Sequence, residues 1–230
     1  MYRVAEIVFN AENCGAYFET RAEKYRVSEG EPEFTVSVPD TEVEWLMART
    51  RLDENGAKYL ISGNMFYFKL IERGGMLIHS SAVVKDGRAY LFSGNPGVGK
   101  STHTGYWLSL WPDAYIINDD KPAIRRFEDG FRVYGTPWSG KYDINRNEWA
   151  PMGGLAFVER AERNFIEPMP PSEAIKNMLA QTVRLITPVR MNELLDTMEN
   201  LMQQVPVYRL GCTKDPSAAE LACAVMTAAE

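Results

Sequence analysis

Apolar and polar residues alternate over 33–38 (Glu-Phe-Thr-Val-Ser-Val), the period of a half-buried strand. Residues 1–9 alternate enough to predict another. Asp40 and Thr41 open a short helix to about Ala48, with Glu44 completing a capping box on Thr41. Asp53 to Gly56 reads as a turn and 57–61 as a strand. Residues 65–72 are apolar all round and read as a helix ended by Gly74-Gly75. A strongly apolar run over 76–84 predicts a buried strand, followed by Lys85-Asp86-Gly87-Arg88. Asp-Gly between two apolar runs is a two-residue hairpin turn. Cross-strand partners in such a hairpin share one sum of residue numbers, so His79 falls opposite Gly94.

The pattern continues with a strand over 89–92 and an amphipathic helix carrying Tyr106, Trp107, Leu108, Leu110 and Trp111. Strands follow at 114–117, 123–127, 131–134, 155–159 and 165–167. Ser172 caps a helix that starts at Pro171-Ser172. A helix over 191–203, a strand over 205–210 and a closing helix over 217–228 complete the chain. Hairpins and crossovers are mixed, which predicts an α/β fold with a mixed sheet and not a purely parallel one. The expected organisation is a strand-rich N-terminal extension, 1–73, packed on a core, 74–230.

Length and composition narrow the class. The 230 residues and 45% apolar content suit one compact unit with a sizeable core. A net charge of −6 argues against nucleic acid as a partner. Cys14, Cys212 and Cys223 form no metal spacing and are expected to be reduced, buried thiols of a cytoplasmic protein. Neither a secretory leader nor a membrane span is expected.

The candidate chemistry begins at Gly94-Asn95-Pro96-Gly97-Val98-Gly99-Lys100-Ser101, a full Walker A pattern between a strand and a helix. Its glycines permit the angles of a phosphate cradle. Its N–H groups and the helix N-terminus face the anion. Pro96 has no N–H, so donors come mostly from Gly97 through Ser101. Lys100 reaches the β- and γ-phosphates, and Ser101 ligates Mg²⁺. Asn118-Asp119-Asp120 ends an apolar strand, about one crossover past Lys100. Adjacent extended residues point to opposite sides. One carboxylate could bind Mg²⁺ while the other holds or deprotonates an acceptor hydroxyl. A simple Asx turn would also explain these residues. His79 either hydrogen-bonds within the core or donates to the terminal phosphate; His103 is read as packing or surface. In Gly135-Thr136-Pro137-Trp138-Ser139-Gly140-Lys141, Ser139 and Lys141 are candidates to close over the phosphates or acceptor. Arg125, Arg126 and Arg184 are alternative cations.

Met76-Leu77-Ile78-His79, the hairpin, the 94–101 loop and Asn118-Asp119-Asp120 together resemble the catalytic domain of HPr kinase/phosphorylase. That fold is similar to the phosphoenolpyruvate carboxykinase core, and the resemblance is strongest over about 75–143. It implies a P-loop core whose mixed sheet carries antiparallel additions. It also implies an Mg²⁺-dependent kinase moving the γ-phosphate of ATP to a hydroxyl, typically of Ser, on a peptide, protein or small molecule. In that reading residues 94–101 and Thr102 bind nucleotide, and Lys100 neutralises the phosphates. His79 contacts phosphate, Asp119 joins Ser101 on Mg²⁺, and Asp120 handles the hydroxyl proton. Thr102 departs from the glutamate those kinases usually carry after Lys-Ser. No Arg-Pro-Gly-Arg-like segment stands late in the chain, where the family places residues tied to phosphorylase activity. The rival reading is a nucleotide-binding regulatory or assembly module with little transfer. A homo-oligomer is compatible with either.

Overall fold

The computed structural model describes residues 1–183 and 187–228. It opens with β1 (Tyr2–Val4) and β2 (Ile7–Glu12), an antiparallel hairpin. α1 (Gly15–Ala22) follows, with a 3-10 turn over Glu23–Tyr25. β3 (Phe34–Ser37) pairs parallel to β2, and α2 (Asp40–Met47) and α3 (Glu54–Ile71) complete an N-terminal unit. Then come β4 (Gly75–Leu77), β5 (Ser80–Lys85), β6 (Arg88–Ser93), α4 (Lys100–Leu110), β7 (Tyr115–Asn118), β8 (Ala123–Phe127) and β9 (Gly130–Tyr134). β10 (Trp149–Arg160), β11 (Phe165–Pro168), α5 (Pro171–Ala180), α6 (Pro188–Gln204), β12 (Val207–Cys212) and α7 (Ser217–Thr227) finish the chain. None of the described helices is long and apolar enough to cross a membrane.

The main sheet is mixed and curled, in the order β4-β8-β9-β10-β6-β5-β7, with β12 beside β10 and β11 beside β12. β10 causes the curl. Its first residues pair antiparallel with β9, and its remainder runs parallel to β6 and β12. The register shifts between Met152 and Gly154. A Cβ at Gly153 would lie 2.6 Å from the Tyr90 ring, so the bulge needs glycine there. β6 and the 154–158 stretch of β10 are buried on both faces, as their near-continuous apolar sequences dictate. Leu91, Leu155 and Phe157 face a core shared with Met178, Leu194 and Met198, while Tyr90, Phe92 and Val158 face one shared with Trp107, Ala222 and Met226. Because β7 antiparallels β5, and β5 antiparallels β6, the C-terminal ends of β6, β7, β10 and β12 lie at one edge. Open α/β sheets bind ligands at that edge.

A third core belongs to the N-terminal unit but closes around Trp138 from the far side of the chain. The Trp138 ring lies 4.8 Å from that of Phe66 and 5.6 Å from that of Phe18.

Several expected elements change. Residues 53–61 are neither turn nor strand. They open the 18-residue α3, whose N-cap Asp53 accepts the Gly56 N–H at 2.7 Å. The buried residues Ala57, Ile61, Phe66 and Leu70 form a helical stripe that a five-residue reading of 57–61 cannot reveal. The 1–9 strand breaks at Ala5 and Glu6, which turn at φ of 50° and 63° without a glycine. The 76–84 run breaks after Leu77, because β4 pairs with β8 whereas β5 pairs with β6 and β7. No capping box forms on Thr41, since the N-cap of α2 is Pro39, two residues earlier, and the helix begins at Asp40. Ser172 caps nothing, since α5 starts behind Pro170. α1 had no counterpart in the sequence reading.

Candidate active site

The hairpin places the first functional side chain. Asp86 and Gly87 sit at φ of 50° and 77°, the left-handed pair of a type I′ turn. Lys85 pairs with Arg88 and Ser80 with Ser93, one constant register. The ladder ends there: the His79 N–H turns to the Gln181 carbonyl at 2.7 Å, while the Ser93 hydroxyl donates to the His79 carbonyl at 2.8 Å and keeps His79 next to the start of the loop.

Gly94 takes φ of 143°, and a Cβ there would lie 2.8 Å from the Val158 carbonyl oxygen. The loop closes through Val98 N–H to the Asn95 carbonyl at 3.2 Å. Gly97 and Gly99 sit at φ of 75° and 118°. Gly99 is the N-cap of α4 and supplies no side-chain cap. The first-turn N–H groups of α4 have no acceptor inside the helix, so they are available to an anion. Asn95, Pro96, Ser101 and Thr102 are exposed. Lys100 curls back, its Nζ donating to the Gly94 carbonyl at 2.8 Å. Burial lowers the Lys100 ammonium from its ordinary value, and Asp120 partly offsets this.

Asn118 then turns the chain. Its Oδ1 accepts the N–H groups of Asp120 at 3.0 Å and Lys121 at 2.7 Å, an Asx turn that aims two adjacent carboxylates differently. Asp120 meets His79: Nε2 lies 2.9 Å from Oδ1, and the Ser80 N–H donates to the Asp120 carbonyl at 3.0 Å. Burial pushes the Asp120 carboxyl up, but the His79 hydrogen bond, Lys121 and Lys100 outweigh it and hold it below its ordinary value. Asp119 faces the other way, and its Oδ1 accepts the Gly140 N–H at 2.6 Å. Burial raises Asp119, more than Gly140 and Arg21 lower it. The carboxylates therefore differ: one is braced by cations, the other is half-desolvated.

Two depressions flank the loop. A cleft of about 400 Å³ runs past His79 and Asp120, walled by Leu60, Asn64, Leu77, Lys121 and Gln181. A second, of about 490 Å³, lies over the β10 and β12 ends, between Val98, Thr102, Tyr106, Arg160, Thr213 and Lys214. Its floor is His103, buried and held down to about 4 by desolvation; its Nε2 accepts from Trp107 Nε1 at 3.1 Å. His103 is thus a packing residue.

Ser139 is 2% exposed, and its hydroxyl donates to Asp143 at 2.7 Å. Lys141 is exposed, its Nζ 5.7 Å from the Tyr142 ring centre. Arg125 donates to the Ala5 carbonyl at 2.6 Å, tying the sheet to the N-terminal hairpin, and Arg126 is exposed. Arg184 lies outside the described residues. The three cysteines are free, and burial raises Cys14 to about 12 and Cys212 to about 11.

Two cations escaped the sequence reading. Lys121 holds Nζ 4.0 Å from Asp120 and is lowered by burial. Arg160 donates from Nη2 to the Gly97 carbonyl at 2.7 Å, bracing the loop from β10. Arg160 ends β10, and Lys121 lies in the short connection between β7 and β8.

Asp119, Asp120 and Ser101 offer oxygen donors, the type a hard cation takes, and no closed cage of three or more His, Cys, Asp or Glu side chains forms among the described residues. Mg²⁺ commonly keeps several waters and takes only one or two protein carboxylates.

No family model matches the chain, and no curated protein matches it. Among solved structures it is similar to the Hpr(Ser) kinase/phosphatase from Coxiella burnetii, at 14% identity and a TM-score of 0.29. That match covers 56% of this chain and 88% of the other.

Proposed function

We propose that this protein is an Mg²⁺-dependent, HPr kinase-like phosphotransferase that moves the γ-phosphate of ATP to a hydroxyl group. One observation carries the reading: the Lys100 loop and the His79–Asp120 pair converge at the same edge of the sheet. Residues 94–102 cradle the phosphates through N–H groups and Lys100. The nucleoside extends into the depression over β10 and β12, whose size suits a small-molecule site. The acceptor enters the cleft past His79 and Asp120. Mg²⁺, held by Ser101 and Asp119, would supply charge neutralisation on the phosphates.

In the transfer the acceptor oxygen bonds to the γ-phosphorus, the bond to the β–γ bridging oxygen breaks, and ADP leaves. The acceptor proton passes to Asp120. A carboxylate held this low is ionised at neutral pH but is a weak base, so its larger task is to hold the hydroxyl in line. That suits a loose transition state in which the proton leaves late. His79 fixes Asp120 through Nε2, and when protonated it also offers Nδ1–H to a phosphate oxygen.

The test is direct. Wild-type protein should bind Mg·ATP and, with γ-labelled ATP and host extract, label an acceptor through a phosphoester. Asp120→Asn should bind nucleotide and label nothing. Labelling that survives Asp120→Asn on every acceptor sinks the base assignment. Binding without any labelling by wild type moves the reading to a nucleotide sensor.

A further inference from the structure

The Asp119 carboxylate is only as well placed as the segment that holds it. Its Oδ1 takes the Gly140 N–H at 2.6 Å, and a Cβ at Gly140 would lie 2.9 Å from its Oδ2, too close for any side chain there unless the carboxylate moved. Gly140 lies in the irregular segment between β9 and β10. Its main chain meets β7 at one bridge, Asn118 with Asn145, where the Asp119 N–H donates to the Ile144 carbonyl at 3.1 Å and the Arg146 N–H to the Ile117 carbonyl at 3.0 Å. Residues 136–143, between β9 and that bridge, are outside any strand and need further anchors. Asp143 adopts φ of 52°, and Ser139, Asp143 and Asn145 bond among themselves.

β7 and the Asn118 amide, which donates to the Thr136 carbonyl at 3.0 Å, hold one side of the segment, and the N-terminal unit holds the other. The Tyr59 hydroxyl, on α3, lies 2.8 Å from the Pro137 carbonyl and 3.1 Å from that of Ser139. Arg21, on α1, donates to the Tyr59 hydroxyl at 2.8 Å and the Ser139 carbonyl at 3.1 Å, and stands 3.6 Å from Asp143. The Tyr25 hydroxyl meets Asn145 Oδ1 at 2.9 Å, and Lys24 donates to the Asn145 carbonyl at 2.9 Å. Trp138 is sunk into the N-terminal core, its Nε1 donating to Ser62 at 3.1 Å. Burial raises Tyr59 to about 12, so its hydroxyl stays a donor at neutral pH.

We propose that the N-terminal unit clasps residues 135–146 and thereby positions the Asp119 carboxylate for its metal, with Arg21, Tyr25 and Tyr59 as positioning residues. The inference rests on the reading of Asp119 as the metal-side carboxylate. None of the three touches substrate; each acts through the Gly140 N–H. Groups that orient a metal ligand commonly change metal affinity about 10–100-fold when removed. The N-terminal unit is then part of the active site's construction, although it contributes no group to the chemistry.

The experiment uses the full chain bearing Tyr59→Phe, Tyr25→Phe or both. Tyr17→Phe serves as control, because that hydroxyl bonds Asp53 within the same unit and not the segment. Amide exchange at Gly140 is read without metal. Mn²⁺ affinity is titrated directly in the presence of a non-hydrolysable ATP analogue, and analogue affinity is measured without metal. The double variant should exchange at Gly140 at least about tenfold faster and bind Mn²⁺ about tenfold more weakly. Analogue affinity without metal and the Tyr17→Phe control should not move. Unchanged exchange at Gly140 overturns the clasp. Faster exchange with unchanged Mn²⁺ affinity also overturns it, provided Asp119→Asn loses the metal. If Asp119→Asn keeps the metal, the metal assignment fails and the inference falls with it.

Discussion

The β5–β6 hairpin with its loop and the 135–146 segment both present groups at the same sheet edge, yet they are specified in opposite ways. The hairpin is written locally. Asp86-Gly87 sets the turn, the turn sets the register, and the register ends at Ser80 and Ser93, whose hydroxyl holds the His79 carbonyl. The 135–146 segment is written at long range: Arg21 reaches Ser139 across 118 positions and Tyr59 reaches Pro137 across 78. A site can thus have one wall fixed by turn chemistry and another fixed by a distant unit. The two walls should fail differently when perturbed.

The largest expected effect on transfer lies on the local wall. If the proposed transfer holds, Lys100→Ala removes the cation assigned to developing charge, and transfer should fall by about 10²–10³-fold. Stability should barely change, since Nζ is bonded only to loop carbonyls. Rate measurements beside thermal melts separate the two. A variant that transfers normally would mean the loop is not where phosphate is handled.

Trp138→Ala strikes the distant wall and should do the reverse, costing about 3–5 kcal/mol of stability. The ring is fully buried among Phe9, Phe18, Phe66 and Tyr67, and a Cβ at Gly63 would lie 2.9 Å from it. Urea unfolding followed by tryptophan fluorescence and by far-ultraviolet dichroism checks it. Coincident, lowered midpoints are expected. Two separate transitions would mean that the N-terminal unit and the sheet do not share the cooperative core that Trp138 links.

His103 gives a third, pH-dependent contrast beneath the local wall. Its folded value of about 4 lies below the ordinary 6.5, so on acidification the unfolded chain takes the proton first. Stability from this group is therefore complete above about pH 6.5, declines as pH falls, and is fully lost below about pH 4. At pH 5 the loss is on the order of 2 kcal/mol. His103→Gln keeps an acceptor for Trp107 and should flatten the acid limb of a melting-temperature profile. An unchanged limb would mean that His103 titrates freely.

Legibility follows the same division. The turn, the Walker A pattern and the Asn118 corner were readable because each depends on residues within a few positions. Lys121 and Arg160 were missed because a cation at or beyond a strand end looks like any surface charge until a partner appears, here Asp120 and the Gly97 carbonyl. Arg21 and Tyr59 carried no signal, since their acceptors are main-chain oxygens of a remote segment. Residues 57–61 misled for a different reason. Five residues with two apolar ends fit a strand, and only the full 18-residue stripe reveals α3.

Asp53 tests whether that last element is held locally or from afar. As N-cap of α3 it satisfies the Gly56 N–H at 2.7 Å, and Asp53→Ala should cost about 1 kcal/mol, with Asp53→Asn nearly neutral. The buried stripe of α3 packs into the Trp138 core, so the helix should persist without its cap. Tyr59 lies in the second turn after the cap, so any fraying that does occur reaches the clasp before it reaches the core. Asp53→Ala should therefore speed amide exchange in the first turn of α3 while leaving Ile61 to Leu70 protected. If exchange rises along the whole helix, α3 is held by its cap more than by its stripe, and the division between a local and a long-range wall fails at its simplest point.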